Sequence, residues 1–224
     1  MISVVIPTLN AETTLQQALA PLVTAAVEGL VKEVVVADGG SADRTLEMAE
    51  DAGARIVSTA RGRGVQLAAG CAAAKGDWLL VLHADTRLGE GWELAAADHI
   101  AQRPDKAGFF RFALDDRGLR SALWEHGVAL RCRALSLPYG DQGLLISRRL
   151  YDEVGGYRPL PLMEDVDLVR RLGPKRLAPL SARAVTSAER YRRDGYLGRS
   201  MRNTVLLARY FAGADPERLA RAYG

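Results

Sequence analysis

Ile2-Ser3-Val4-Val5-Ile6-Pro7-Thr8-Leu9-Asn10 sets a short β-branched run against a polar turn, and the same juxtaposition returns along residues 1–105. Glu33–Ala37 runs into Asp38-Gly39-Gly40-Ser41, Ala54–Ser58 into a glycine-bearing turn, and Trp78–Leu82 into His83-Ala84-Asp85. Helix-periodic stretches separate these runs, which is the rhythm of a parallel sheet covered on both faces. The first helix is expected over Glu12 to Val27, with Leu15, Ala18, Leu19, Leu22 and Val23 on its inner face. In open α/β sheets ligands bind at the carboxyl ends of the strands, so the polar turns converge on one edge.

After Asp105 the rhythm changes. Ala107–Leu114 reads as a strand, Leu119–Leu135 as a helix, Leu144–Ser147 as a strand and Asp165–Leu172 as a short helix. The stretch from Tyr196 to Phe211 mixes Leu197, Met201, Val205, Leu206, Tyr210 and Phe211 with Arg199, Arg202 and Arg209, an amphipathic basic helix. The expected fold class is therefore α/β, with a mostly parallel sheet flanked by helices and a less regular C-terminal half. One domain is expected over residues 1–224, divided into 1–105, 106–194 and a basic helical segment 195–224.

Composition excludes several classes. Of the 224 residues 48% are hydrophobic and 25% charged, which is globular and neither disordered nor collagen-like. Cys71 and Cys132 have no CxxC partner, so neither a zinc site nor a disulfide framework is indicated. The start of the chain shows no basic n-region or cleavage site, and no apolar run approaches the ~20 residues that cross a bilayer. A cytoplasmic location is expected. Residues 170–224 carry 13 Lys/Arg against 4 Asp/Glu, and the remainder 17 against 23. Such a basic segment suits phosphates, anionic lipid headgroups or nucleic acid, or is a solvated arginine-rich surface.

Asp38 projects from a strand end, where a carboxylate can accept hydrogen bonds from a nucleobase N–H or a ribose hydroxyl. Ser41 or Asp43 caps the helix that follows. A dinucleotide fingerprint is absent, because Pro7-Thr8-Leu9-Asn10 stands where GxGxxG would be. Arg61-Gly62-Arg63-Gly64-Val65-Gln66 also lacks the phosphate-loop spacing, although Arg61 and Arg63 at a helix start can clamp a diphosphate or mark a plain surface turn. Asp85, at the end of an apolar strand, suits a divalent cation, with His83 as a second ligand or as an orienting group. Pro161-Leu162-Met163-Glu164-Asp165-Val166-Asp167 runs three acids into a helix, where the dipole alone accounts for one of them. Glu164 and Asp165 point in different directions there, so one can face a cleft as general base. Tyr139-Gly140-Asp141-Gln142 offers stacking, a carboxylate and an amide to an acceptor sugar, or is a simple glycine turn. Glu189-Arg190-Tyr191-Arg192-Arg193 is a cationic cluster for a leaving diphosphate, with Arg190 and Arg192 the residues assigned, or a surface feature.

Ser3–Asn10, Asp38–Thr45, Leu82-His83-Ala84-Asp85-Thr86 and Met163-Glu164-Asp165 together resemble the ordered motifs of family 2 glycosyltransferases. Within that family the chain resembles a bacterial subgroup with His-Ala-Asp-Thr in place of Asp-x-Asp, which shares Gly140-Asp141-Gln142, Pro161–Asp165 and Asp215–Leu219. The resemblance implies a GT-A fold, a divalent metal (Mn²⁺ or Mg²⁺) and inversion at the anomeric carbon. Carried over, Asp38 contacts the donor base, Asp85 the metal, and Asp165 is the catalytic base. Pro7, Thr8, Asn10, Gly39 and Ser41 fall in the donor-binding turns. Two departures stand out: Gly39 replaces a frequent second aspartate, and His83 replaces the first aspartate of Asp-x-Asp.

The expected activity is hexosyl transfer from a nucleoside-diphosphate sugar, a UDP-sugar first, to an acceptor hydroxyl. The rival readings are a nucleotidyltransferase that makes such a sugar nucleotide, and a non-catalytic nucleotide-sugar-binding protein. The acceptor is unknown, a nucleic-acid partner is not expected, and peripheral membrane contact and homo-oligomerisation stay open.

Overall fold

The computed structural model describes residues 1–116, 118–188 and 196–223. In chain order the elements are β1 (Ile2–Thr8), α1 (Leu15–Leu19), α2 (Leu22–Val27), β2 (Val31–Asp38), α3 (Thr45–Asp51), β3 (Arg55–Ser58), α4 (Arg63–Ala73), β4 (Trp78–Val81), β5 (Thr86–Leu88) and α5 (Trp92–Gln102). They continue with β6 (Ala107–Leu114), α6 (Leu119–Leu135), a 3₁₀ turn (Gly140–Gln142), β7 (Leu144–Ser147), α7 (Arg148–Glu153), α8 (Glu164–Leu172), a second 3₁₀ turn (Pro174–Arg176), β8 (Leu177–Thr186), α9 (Tyr196–Phe211) and α10 (Pro216–Tyr223).

One eight-stranded sheet has the order β3-β2-β1-β4-β7-β6-β8-β5. Its first four strands are parallel, as the β-branched runs require. β7 is antiparallel to both β4 and β6, and β5 antiparallel to β8, so the later half makes the sheet mixed. β1 alternates with a period of two. Ile2, Val4 and Ile6 join the core with α1, α2 and α5, whereas Val5 joins Leu67, Cys71 and Leu168 on the other face. Burial on both faces is why this strand reads as nearly continuous apolar sequence.

The single first helix expected over Glu12–Val27 is instead two, broken at Ala20-Pro21. A proline interior to a helix removes a hydrogen bond and its ring collides with the preceding turn. The break leaves Leu15, Ala18, Leu19 and Leu22 buried but turns Val23 outward, 62% exposed. β8 adds a ten-residue strand with alternating burial that the sequence does not announce. Pro179 sits there at a register irregularity opposite Phe109, where a missing N–H is tolerated. In the basic helix α9, Leu207 packs with Leu137, Val166 and Val169, so it buttresses α8. Arg170 of α8 lies 4.9 Å over the Phe211 ring.

Glycines set how closely α4 seats. A Cβ on Gly70 would come within 2.6 Å of Val5 Cγ1, and one on Gly64 within 2.6 Å of the Arg158 carbonyl oxygen and Leu160 nitrogen. Backbone cannot rotate aside as a side chain can. Gly64→Ala is therefore expected to cost ~1–3 kcal/mol and to lower the melting temperature by roughly 2–10 °C in a thermal melt. An unchanged melting temperature would show that the 158–160 segment yields.

Candidate active site

β1 and β2 end together, with Thr8 in register with Asp38. The Asp38 carboxylate is 2% exposed and accepts four hydrogen bonds: Oδ1 from the Thr8 hydroxyl (2.9 Å) and the Ser41 hydroxyl (2.5 Å), Oδ2 from the Gly40 and Ser41 N–H groups (2.8 Å each). Burial alone would raise its pKa, but these donors hold it below the ordinary range. A carboxylate has about four acceptor sites, and all are filled. Asp38 therefore shapes the turn that a ligand meets, and has no acceptor site left over for direct hydrogen bonding to a nucleobase. Ser41 and Asn10 complete that turn, the Asn10 N–H donating to Ser41 Oγ and Asn10 Oδ1 accepting from the Ala42 N–H (both 2.9 Å).

Gln66, unassigned from the sequence, ties α4 to these strand ends. Its amide donates to the Thr8 carbonyl at 2.6 Å and the Ala37 carbonyl at 3.0 Å. It also explains Gly39, because a Cβ there would stand 3.1 Å from Gln66 Cδ and Nε2. The signal available was a polar residue on the inward side of an apolar helix, where buried carbonyls need a donor.

A pocket of about 320 Å³ opens at this edge. It is lined by Pro7, Thr8, Asn10, Arg61, Arg63, His83 and Asp85 among others, so these expected donor-side residues meet in one place. Asp38, Gly39 and Ser41 do not line it. Thr14, also unassigned from the sequence, does. Arg190 and Arg192 lie outside the described residues.

The Gly140–Gln142 turn joins this edge to α8. The Gly140 N–H donates to Asp165 Oδ2 at 2.8 Å. A Cβ on Gly140 would be 2.5 Å from His83 Nε2 and 3.4 Å from Asp165 Oδ2, so only a glycine lets the imidazole and the carboxylate approach the same backbone. Its neighbours, expected on the acceptor side, make contacts within the protein. Gln142 is buried, its Oε1 accepting from Arg131 Nη2 and Cys132 Sγ and its Nε2 donating to the Phe110 carbonyl, so its amide serves the fold. One face of the Tyr139 ring carries the Arg131 guanidinium at 3.5 Å. Asp141 Oδ1 is buried with no hydrogen-bond partner among the described residues. Burial pushes this carboxyl up to about 6, Arg131 and Arg63 drawing it down and Asp165 and Asp85 driving it up.

Glu164 and Asp165 separate as adjacent helical residues should. Met163, at φ 66°, turns the chain into α8. Asp165 stays half-buried at the Gly140 turn, while Glu164 is 2% exposed with Oε1 3.6 Å from Arg63 Nη1. The third acid, Asp167, pairs with Arg171 (2.7 Å) and Arg158 (3.3 Å).

Among the described residues no group of three or more His, Cys, Asp and Glu stands close enough to hold a metal unaided. The donor set still fits a cation that keeps most of its shell from phosphate and water, since Mg²⁺ sites commonly use one or two carboxylates. Asp85 supplies one, beside His83, with the unpartnered Asp141 oxygen electrostatically near.

A parallel half-sheet with its polar turns on one edge, continued by strands that bring a carboxylate-bearing helix to that edge, is an α/β fold of the GT-A glycosyltransferase class. The sequence profile of glycosyl transferase family 2 matches residues 3–149, and the chain belongs to that family. TarS residues 1–349 from S. aureus superpose with a TM-score of 0.67 at 19% identity, covering 84% of this chain and 60% of that one. A UDP complex of the same protein gives 0.64 at 21%, covering 85% and 62%. Glucosyl-3-phosphoglycerate synthase from Mycobacterium tuberculosis, with Mn²⁺, UDP and glucosyl-3-phosphoglycerate, gives 0.57 at 24%, covering 84% and 70%. A TPR repeat-containing protein of Synechococcus elongatus is 43% identical over 78 residues, which is 31% of this chain and 18% of that protein. The chain thus spans only part of these relatives.

The Glu164 environment has a pH signature. Burial first, then the Asp165 charge, push its carboxyl up to about 7 from 4.5, against the pull of Arg63. A folded-state pKa above the unfolded one favours the protonated native state, so this contribution is complete below about pH 4.5 and disappears as pH rises through about 7. Glu164→Gln is expected to abolish that loss, and melting curves of the two proteins should diverge in the variant's favour as pH rises across this window. Parallel curves would count against it.

Proposed function

We propose that this chain transfers a sugar from a UDP-sugar to an acceptor hydroxyl with inversion, as a member of the subgroup in which His83-Ala84-Asp85 replaces Asp-x-Asp. One observation supports this most: the Gly140 N–H holds Asp165, and the same glycine lies against His83, the end of the donor-side strand. The donor pocket and a fixed, half-buried carboxylate are thus adjacent.

In this reading Pro7, Thr8 and Asn10 receive the nucleoside on a turn kept in shape by Asp38, Gly39 and Ser41. Arg61 and Arg63 bind the diphosphate, with Arg63 steered by Glu164; Arg190 and Arg192 remain an expectation for the leaving group. Asp85, with His83 beside it, would hold Mn²⁺ or Mg²⁺, which supplies positive charge to the diphosphate oxygens. The acceptor oxygen attacks the anomeric carbon from the face opposite the diphosphate, and its proton passes to Asp165. The bond from the anomeric carbon to the phosphate oxygen breaks, and the electron pair leaves with UDP. Asp165 needs no shift in position to accept that proton, because one oxygen is already fixed by Gly140.

No helix among the described residues is long and apolar enough to cross a membrane. Cys71 and Cys132 are buried free thiols, which accords with a cytoplasmic setting.

Incubation with UDP- and GDP-sugars and either metal, assayed for released nucleoside diphosphate, should show slow donor hydrolysis with UDP-sugars. Asp165→Asn is expected to lower turnover by ~10²–10⁴-fold while UDP affinity, measured by titration calorimetry, changes little. A parallel loss of UDP affinity would remove Asp165 from the role of base. Asp85→Asn should erase the gain in UDP affinity that Mn²⁺ confers; a gain that survives would place the metal elsewhere.

A further inference from the structure

A second cavity, of about 680 Å³, lies between α6 and the surface of β6 and β8, and shares no residue with the donor pocket. Its walls combine Phe109, Phe112 and Val128 with Arg111, Arg133 and Arg183. Arg111 and Arg183 are register partners on the neighbouring strands, so two guanidinium groups leave the sheet side by side. Like charges so placed repel unless something negative lies between them. Among the described residues none of the three arginines has a carboxylate within ion-pair distance. The one acid on the wall, Glu125, accepts a hydrogen bond from the Leu114 N–H.

The helix over this cavity is unusual on its outer side as well. Leu119, Leu123 and Leu130 fall on one stripe and are 86%, 74% and 61% exposed. A helix with an exposed leucine stripe beside a cavity that mixes apolar and cationic groups suits an anionic lipid surface better than bulk water.

We propose that the slot between α6 and the β6–β8 face binds an anionic amphiphile from a lipid surface, its apolar chain against Phe109, Phe112 and Val128 and its phosphate or carboxylate against Arg111 and Arg183. Charge and shape are complementary: the described residues give these arginines no carboxylate partner, and much of the remaining lining is aromatic and aliphatic. Gln142 lines the slot and belongs to the same turn as Gly140, which holds Asp165. An occupant therefore lies one turn away from that carboxylate. Such binding does not depend on sugar transfer.

Titration of the full chain with monomeric decyl phosphate tests it, with inorganic phosphate and an uncharged decyl glycol ether as controls. Decyl phosphate should bind about tenfold more tightly than either control, and Arg111→Gln/Arg183→Gln, at exposed positions, should remove at least about that factor. Val128→Trp, which fills the slot, should also weaken it while UDP affinity is unchanged. Phosphatidylglycerol vesicles should pellet the wild-type chain, and Leu119→Gln/Leu123→Gln/Leu130→Gln should stay in solution. Inorganic phosphate bound as tightly as decyl phosphate, affinity unaltered in the double arginine variant, displacement by UDP, or no pelleting with vesicles would each overturn the proposal.

Discussion

Burying a carboxylate at the end of a parallel strand is costly unless every lone pair finds a donor, and Asp38 meets that demand by drawing the whole donor edge around itself. Thr8 comes from β1, Ser41 and Gly40 from the turn after β2. The segments 8–12 and 38–45 are then joined by Asn10, Glu12, Asp43 and Thr45. Gln66 closes the assembly from below by satisfying two strand-end carbonyls. The floor of the pocket is thus held by polar contacts whose loss would strand buried acceptors, which makes it stiff in the direction a ligand would press.

Much of this was legible in the sequence because parallel strands advertise themselves. β1, the later part of β2 and β4 are nearly continuous apolar runs, and each passes into a polar turn at the edge where the pocket opens. β8 was not legible for the opposite reason. Of its inward residues Ala178, Ala182 and Ala184 are small, its outward ones include Pro179, Ser181 and Arg183, and nothing in that pattern favours a strand locally. It forms because β6 and β5 offer ladder partners on either side. Pro21 is plain in the sequence, yet the apolar period of the first helix runs straight across it, and period and proline give opposite signals there.

At the site, the legible part was which turns meet at one edge, and the obscured part was what their residues touch. The adjacency of Glu164 and Asp165 predicted that they would diverge, and they do. The inward turn of Gln142 could not be read, because an amide in a glycine turn looks the same whether it faces solvent or saturates Phe110, Arg131 and Cys132. Around it the charges interlock: Arg63 faces Glu164, Arg131 lies over Tyr139, and Asp141 is left between two carboxylates and two guanidinium groups. Such an arrangement is balanced only within a narrow range of total charge, and a diphosphate with its counter-ion would alter that balance more than any single side chain.

The seat of α4 against the 158–160 backbone has an evolutionary corollary. With no room for a methyl group at Gly64, the chain there cannot drift in length or in side-chain size without parting the arginine-bearing helix from the segment that leads to α8. Diversification is thereby channelled elsewhere. The stretch through α6, which meets β6 through side chains such as Phe112, Val128 and Cys132 beside a cavity and not through interlocked backbone, has more room for change in side-chain size than the seat of α4.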